Sequence, residues 1–237
     1  MIFSKPSSWA MKLAVNISAG VYARQKGHSL FDILKVFFLG GSFAPTPKTR
    51  NIVILGSKGA GKTTLWHRLQ GVKDLDDSPK NTSQEKIKSF KIDVSDRAVL
   101  ISDTVDYGGD DKWATSYENI ICNDGTFVYF LVDLLELHEH EEEMYKQIRG
   151  RLALVSNICR QKKLKDCGCK ILATNKRKYV EQGLEAEHGE PVEYVKKVLK
   201  LHTLKRMSIK IDDFIQPVEL TDEADINKIK EEIINNS

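Results

Sequence analysis

Eight consecutive residues, Gly56-Ser57-Lys58-Gly59-Ala60-Gly61-Lys62-Thr63, have the types and spacing of a phosphate-binding P-loop. The glycines let the chain turn tightly enough for successive main-chain N–H groups to face one point. There they hold an anion together with the start of a following helix. A lysine closing such a loop reaches the β- and γ-phosphates, and the Thr63 hydroxyl is placed to ligate Mg²⁺. The flanks agree: Ile52-Val53-Ile54-Leu55 predicts a buried strand leading in, and Thr64-Leu65-Trp66-His67-Arg68-Leu69 a helix leading out. Residues Gly56 to Thr64 are therefore expected to bind a nucleoside triphosphate with Mg²⁺.

A second ligand for the metal must come from another strand. Phe90, Ile92 and Val94 alternate, Ser95-Asp96 turns, and Ala98-Val99-Leu100-Ile101 runs back, which predicts an antiparallel hairpin. Asp103 stands just past that second strand, where a carboxylate suits a Mg²⁺ ligand acting through water. Its plainer reading is a turn or cap residue. Further along, Thr126 to Val132 reads as a buried strand ending at Asp133. Met144, Ile148, Leu152, Val155 and Cys159 mark one face of a long helix. Lys170 to Thr174 is a short strand, Glu190 to Leu201 a helix, Phe214 to Leu220 a last strand, and Ile226, Ile229 and Ile233 belong to a closing helix. This alternation predicts an α/β fold of the P-loop NTPase type. A mostly parallel six-stranded sheet with one antiparallel edge strand would lie between two helical layers, with ligand at the carboxyl ends of the strands.

Composition sets the remaining bounds. At 237 residues, with 41% hydrophobic and 29% charged side chains, the chain is read as globular, cytoplasmic and built on one good-sized core. The net charge of +3 conceals a split: residues 1–50 carry seven Lys/Arg against Asp32 alone, so the leader is +6 and the rest −3. A basic leader points to an anionic membrane surface rather than to nucleic acid. The four cysteines (122, 159, 167, 169) lack paired C-x-x-C spacing and read as reduced thiols. His138-Glu139-His140 could hold a metal, but it reads more simply as a solvated helix start.

Residues 1–41 form a helical extension in this reading. Trp9, Leu13, Ile17 and Val21 recur at helical spacing, and Leu30 to Leu39 is more apolar but too short to span a bilayer. Residues 42–50, with Pro45 and Pro47, read as a linker, and 51–237 as the nucleotide domain. The extension admits three readings: an interfacial anchor, helices packed on the domain or on a partner, and a signal peptide. The first is preferred, and the third is opposed by Lys12 and Asn16 inside its apolar segment.

The order of these parts resembles the Ras-like small GTPases, and Gly56 to Thr64 with an amphipathic leader is similar to the Arf and Sar group. The likeness covers about residues 50 to 236, and the interval of 41 residues from Lys62 to Asp103 is close to that family's spacing. The resemblance implies GTP/GDP as ligand and an effector or regulatory protein as partner. It makes Thr82, 20 residues after Lys62, the switch threonine that closes over Mg²⁺. It also makes Asn175-Lys176 the base-reading pair, with asparagine on the purine edge and the lysine stem along the ring.

Three departures follow. The family's Asp-x-x-Gly-Gln is broken at Asp103-Thr104-Val105-Asp106-Tyr107. A shifted register, Asp106-Tyr107-Gly108-Gly109-Asp110, restores the spacing but moves the metal aspartate three residues on, so Asp103 is preferred. No glutamine is present to orient water, no catalytic residue is assigned, and hydrolysis should be slow or absent. Lys178 stands where an aspartate would accept from guanine, and Glu181 is a possible substitute. Thr221-Asp222 falls at the last family motif and reads more simply as a helix cap. Lys58, on the loop where it would face the γ-phosphate, is a candidate cation in place of an arginine finger. The expected function is a GTP-dependent switch, membrane-associated through its leader. The alternatives are a degenerate GTPase acting as an adaptor and, less favoured, an ATP-using P-loop enzyme.

Overall fold

The computed structural model describes residues 48–72, 84–95, 97–109, 111–200 and 210–235. The chain divides into Met1–Pro47 and Lys48–Ser237, and the account concerns the second unit. The helical extension with Trp9, and Thr82 and Asp110, lie outside the described residues.

Lys48–Arg50 (β1) and Ile52–Gly56 (β2) lead to helix α1 (Lys62–Leu69). Gln84–Ile87 (β3) and Phe90–Val94 (β4) run out; Arg97–Ile101 (β5) and Thr104–Tyr107 (β6) run back. A 3-10 turn (Asp111–Ser116) and α2 (Tyr117–Ile120) precede β7 (Phe127–Asp133). Helices α3 (Leu134–Glu139) and α4 (Glu141–Gln161) lead to β8 (Gly168–Thr174). Next come α5 (Lys176–Glu181), α6 (Leu184–His188), α7 (Pro191–Leu199), β9 (Lys210–Pro217) and α8 (Glu223–Asn235).

Strands β2, β7, β8 and β9 pair side by side in parallel, while β1 pairs in parallel with β5, and β5 antiparallel with β4. The two groups meet at Asn51. Arg50 O accepts from Ser102 N, and the next carbonyl, Asn51 O, accepts from Phe127 N. Lys48–Arg50, at the end of the segment read as a linker, are thus already in strand β1.

The apolar strands are buried on both faces, which is why they read as continuous hydrophobic runs rather than alternating ones. Val53 and Leu55 face one core with Val128, Phe130 and Val132, closed by Ile148, Leu152 and Val155 of α4 and Tyr194 and Val198 of α7. Ile52 and Ile54 face the other, with Tyr129 and Leu131, closed by Leu65 and Trp66 of α1 and Ile226, Ile229 and Ile233 of α8. This is the three-layer arrangement expected. Asp222 caps α8, its Oδ1 accepting from Ala224 N at 2.8 Å, a contact that stabilises a helix start by about 1 kcal/mol.

One feature of the β4–β5 hairpin departs from expectation and decides the site. Phe90 faces Ile101; three residues further from the turn on each strand, Ile87 faces Thr104. The β3–β6 ribbon is therefore the same hairpin in the same register, interrupted at Lys88-Ser89 and Ser102-Asp103. Across the gap Asp103 Oδ1 accepts from Ser89 N at 2.6 Å, a side chain supplying what the ladder lacks. The returning strand ends at Tyr107, not at Ile101.

Candidate nucleotide site

The P-loop leaves β2 at Gly56 and enters α1 at Lys62. Two of its glycines are required by geometry. Gly56 has φ 147°, and a Cβ there would lie 2.5 Å from Leu131 O; Gly61 has φ 90°, and its Cβ would meet Leu220 Cδ1 at 2.4 Å. Ser57, Ala60 and Lys62 are buried, while Lys58 and Gly59 are exposed at the loop's tip. Lys62 Nζ donates to Ser57 O at 2.6 Å, which holds the ammonium within the curve of the loop. Thr64 is half-buried in the first turn of α1.

The carboxylate beside Thr63 is Asp106. Thr63 Oγ1 donates to Asp106 Oδ2 at 2.6 Å, whereas Asp103 is exposed and occupied with Ser89. Asp103, preferred from the sequence as the metal aspartate, is not the carboxylate that meets Thr63, because β6 carries the strand onward and brings Asp106 against the P-loop helix. Asp106 is fully buried, and its Oδ1 has no hydrogen-bond partner. Burial pushes its carboxyl above the usual range. The Thr63 hydrogen bond and the charges of Lys62 and His67 pull it down, and Glu85, its partner across the ribbon, adds to the rise.

An orphaned carboxylate oxygen next to a threonine hydroxyl and a lysine fits a divalent cation with an anionic ligand. Thr63 and Asp106 would hold Mg²⁺, which would neutralise phosphate charge there.

Two residues on from Asp106, the shifted register continues through Gly108 to Gly109. Gly109 is buried against the loop so closely that a Cβ would fall 2.0 Å from Lys58 N and 2.3 Å from Ser57 C. Tyr107 is buried, its ring 5.6 Å from that of Trp113, and so does not stand in a water-positioning place.

Sequence reasoning missed the contribution of α4. Gln147 and Met144 take the Ser57 hydroxyl, at 2.9 and 3.7 Å, and Arg151, 4% exposed, donates Nη1 to Gly56 O at 2.9 Å and Nη2 to Gly109 O at 2.5 Å. The signal was present: Arg151 falls on the apolar stripe between Ile148 and Leu152, where a solvated arginine has no place.

Asn175 sits at the end of β8 in the left-handed region (φ 61°), where asparagine is tolerated. Its Nδ2 donates to Asp133 Oδ2 at 2.8 Å, and the preceding Thr174 Oγ1 donates to Ala60 O at 3.3 Å, tying this turn to the P-loop. Lys176 and Lys178 are exposed on α5. Glu181 is exposed at the end of that helix. The carboxylate brought to its start is Glu219, which accepts from Arg177 N at 3.3 Å and from Thr221 Oγ1 at 2.9 Å. His138 and His188 pair at 3.1 Å rather than standing in solvent, but no group of three metal-binding side chains occurs among the described residues. Among those residues, too, no helix is long and apolar enough to cross a membrane.

A phosphate loop between β2 and α1, an aspartate delivered by the neighbouring hairpin and a glycine laid on the loop define a P-loop NTPase-like domain related to the Ras-like GTPases. The sequence profile of the dynein light intermediate chain family matches residues 39–196, and the chain belongs to that family. Among solved structures, the Roco2 RocCORdC of Methanosarcina barkeri bound to GDP is similar at 14% identity and a TM-score of 0.46. That match covers 83% of this chain and 51% of the other, so the chain spans about half the length of that neighbour. No curated protein sequence matches.

Proposed function

We propose that this chain is a guanine-nucleotide-holding adaptor subunit of a dynein assembly, in which bound nucleotide stabilises the domain rather than driving a turnover cycle. The observation that carries the reading is the Thr63–Asp106 pair beside Lys62, a Mg²⁺-phosphate cradle kept intact. The residue that follows Gly109 is Asp110, where the resembling GTPases have a water-orienting glutamine. By that spacing a carboxylate would replace the glutamine, and its charge would repel a γ-phosphate, which opposes hydrolysis. Family membership supports the motor assembly as partner. A retained cradle without the water-orienting glutamine favours the adaptor over the GTP-dependent switch.

The test is titration with fluorescent GDP, GTP and ATP analogues in Mg²⁺, competed by unlabelled nucleotides, with phosphate release followed over hours. Guanine-selective binding with no release above the uncatalysed rate is expected. Equal competition by ATP would remove the guanine assignment, and steady release would restore the switch.

A further inference from the structure

We propose that Arg151 is a positioning residue that clamps Gly109 to the P-loop and holds the domain in one conformation with either guanosine di- or triphosphate. The inference deepens the adaptor reading and in part rests on it.

Helix α4 lies along the P-loop with Met144, Gln147 and Arg151 on one face, three and four residues apart. The guanidinium is buried and forks between two main-chain carbonyls, Gly56 O at the start of the loop and Gly109 O at the end of the returning hairpin. A planar guanidinium makes both contacts at once because its donors are fixed relative to one another. The glycine is also seated by shape, since nothing larger than hydrogen fits between Gly109 Cα and Lys58 N. In a nucleotide-driven switch, the segment that touches the γ-phosphate must leave when that phosphate is lost. Here departure would pull Gly109 O from a buried cation anchored in a 21-residue helix, α4. A ligand shifts a conformational equilibrium only by its differential affinity for the two states.

The test is hydrogen exchange on the full chain and on the variants Arg151→Lys and Arg151→Met. Without nucleotide, both variants should raise exchange of amides 104–109 by about tenfold or more, while β7 and β8 stay protected. Unchanged exchange at 104–109 in the variants overturns the clamp. In the wild type, exchange at 104–109 should be the same with GDP and with a non-hydrolysable GTP analogue; a difference between them overturns the one-state claim. Arg151→Lys, which keeps the charge but loses the fork, should introduce such a difference. Should Arg151→Met fail to fold, Arg151→Lys and the wild-type comparison decide. Should neither nucleotide bind the wild type, the adaptor reading fails, and the nucleotide-free exchange still decides the clamp.

Discussion

Replacing Asp106 and Asp103 by asparagine, one at a time, separates the two registers of the metal aspartate. Asp106 is buried, with Oδ2 on the Thr63 hydroxyl and Oδ1 unpartnered. Its pKa lies above the ordinary value of 3.8, so over that interval the folded chain holds a proton that the unfolded chain has released. Stability therefore falls as pH rises from 3.8 through the raised pKa, and is flat above it. Asp106→Asn keeps an oxygen for Thr63 and removes the buried charge. The nucleotide-free variant should unfold at the same temperature as the wild type or higher at neutral pH, and lose this acid dependence. In Mg²⁺-nucleotide the sign reverses, because the carboxylate now faces a cation. A hydrogen bond to a charged group contributes about 1.5–3 kcal/mol, which corresponds to roughly 10- to 150-fold weaker nucleotide binding in the variant.

Asp103 is exposed, and its bond to Ser89 N contributes about 1 kcal/mol to stability and nothing to nucleotide binding. The assay is fluorescent GDP titration in Mg²⁺ and again in EDTA, with thermal unfolding beside it. Loss of the Mg²⁺-dependent affinity in Asp103→Asn, with Asp106→Asn normal, would refute the register. So would an Asp106→Asn protein several kcal/mol less stable without nucleotide.

Other consequences follow from the same geometry. Gly109→Ala forces a Cβ to 2.0 Å from a main-chain nitrogen, which cannot yield as a side-chain end would. Chemical denaturation should show a loss of about 1–3 kcal/mol, and a change under about 0.5 kcal/mol would mean that Gly109 does not sit on the loop. Lys178→Asp supplies the acceptor missing beside Asn175-Lys176 and should raise preference for GDP over ADP by about tenfold or more in competition binding; an unchanged ratio would place base reading elsewhere. Removing residues 1–40, which carry most of the leader's basic charge, should abolish co-sedimentation with vesicles containing anionic lipid if the leader is an interfacial anchor; co-sedimentation unaffected by the deletion would discard that role.

The P-loop, the order of strands and helices, the hairpin and both helical layers were legible because each rests on local signals. These are glycines at fixed spacing, apolar runs of strand length, and apolar residues recurring at helical spacing in α4 and α8. The carboxylate that meets Thr63 was not, for a physical reason. The apolar pattern of β5 stops at Ile101, and Asp103 is the next carboxylate, so the strand seemed to end there. It continues because Asp103 itself bonds Ser89 N and carries the pairing across the gap to Thr104. Only the three-dimensional pairing of Ile87 with Thr104 distinguishes an interrupted strand from a finished one. Arg151 was hidden differently. Its position on an apolar stripe was visible, but its partners are main-chain carbonyls 95 and 42 residues away, which leave no mark of residue type. The pairing of His138 with His188 is equally non-local, spanning 50 residues.

Charged groups kept inside a small domain need a reason, since apolar side chains of similar volume would often be as stable or more so. Asp106 and Arg151 are both buried, and each is spent on the P-loop, one facing the Thr63 side and the other tying Gly56 to Gly109. The departures from the GTPase pattern fall elsewhere. By sequence spacing Asp110 replaces the water-orienting glutamine of the resembling family, and Lys178 replaces its guanine-accepting aspartate. What has been lost would act on the bond to the γ-phosphate or read the base; what remains would grip phosphate and metal and fix the neighbouring hairpin. A cycling enzyme needs the first set at least as much as the second. A domain that uses nucleotide as a structural ligand needs only the second, because binding free energy from a cradle held in one shape goes into the folded state. The distribution of retained and lost groups therefore argues for holding over cleaving, independently of any single substitution.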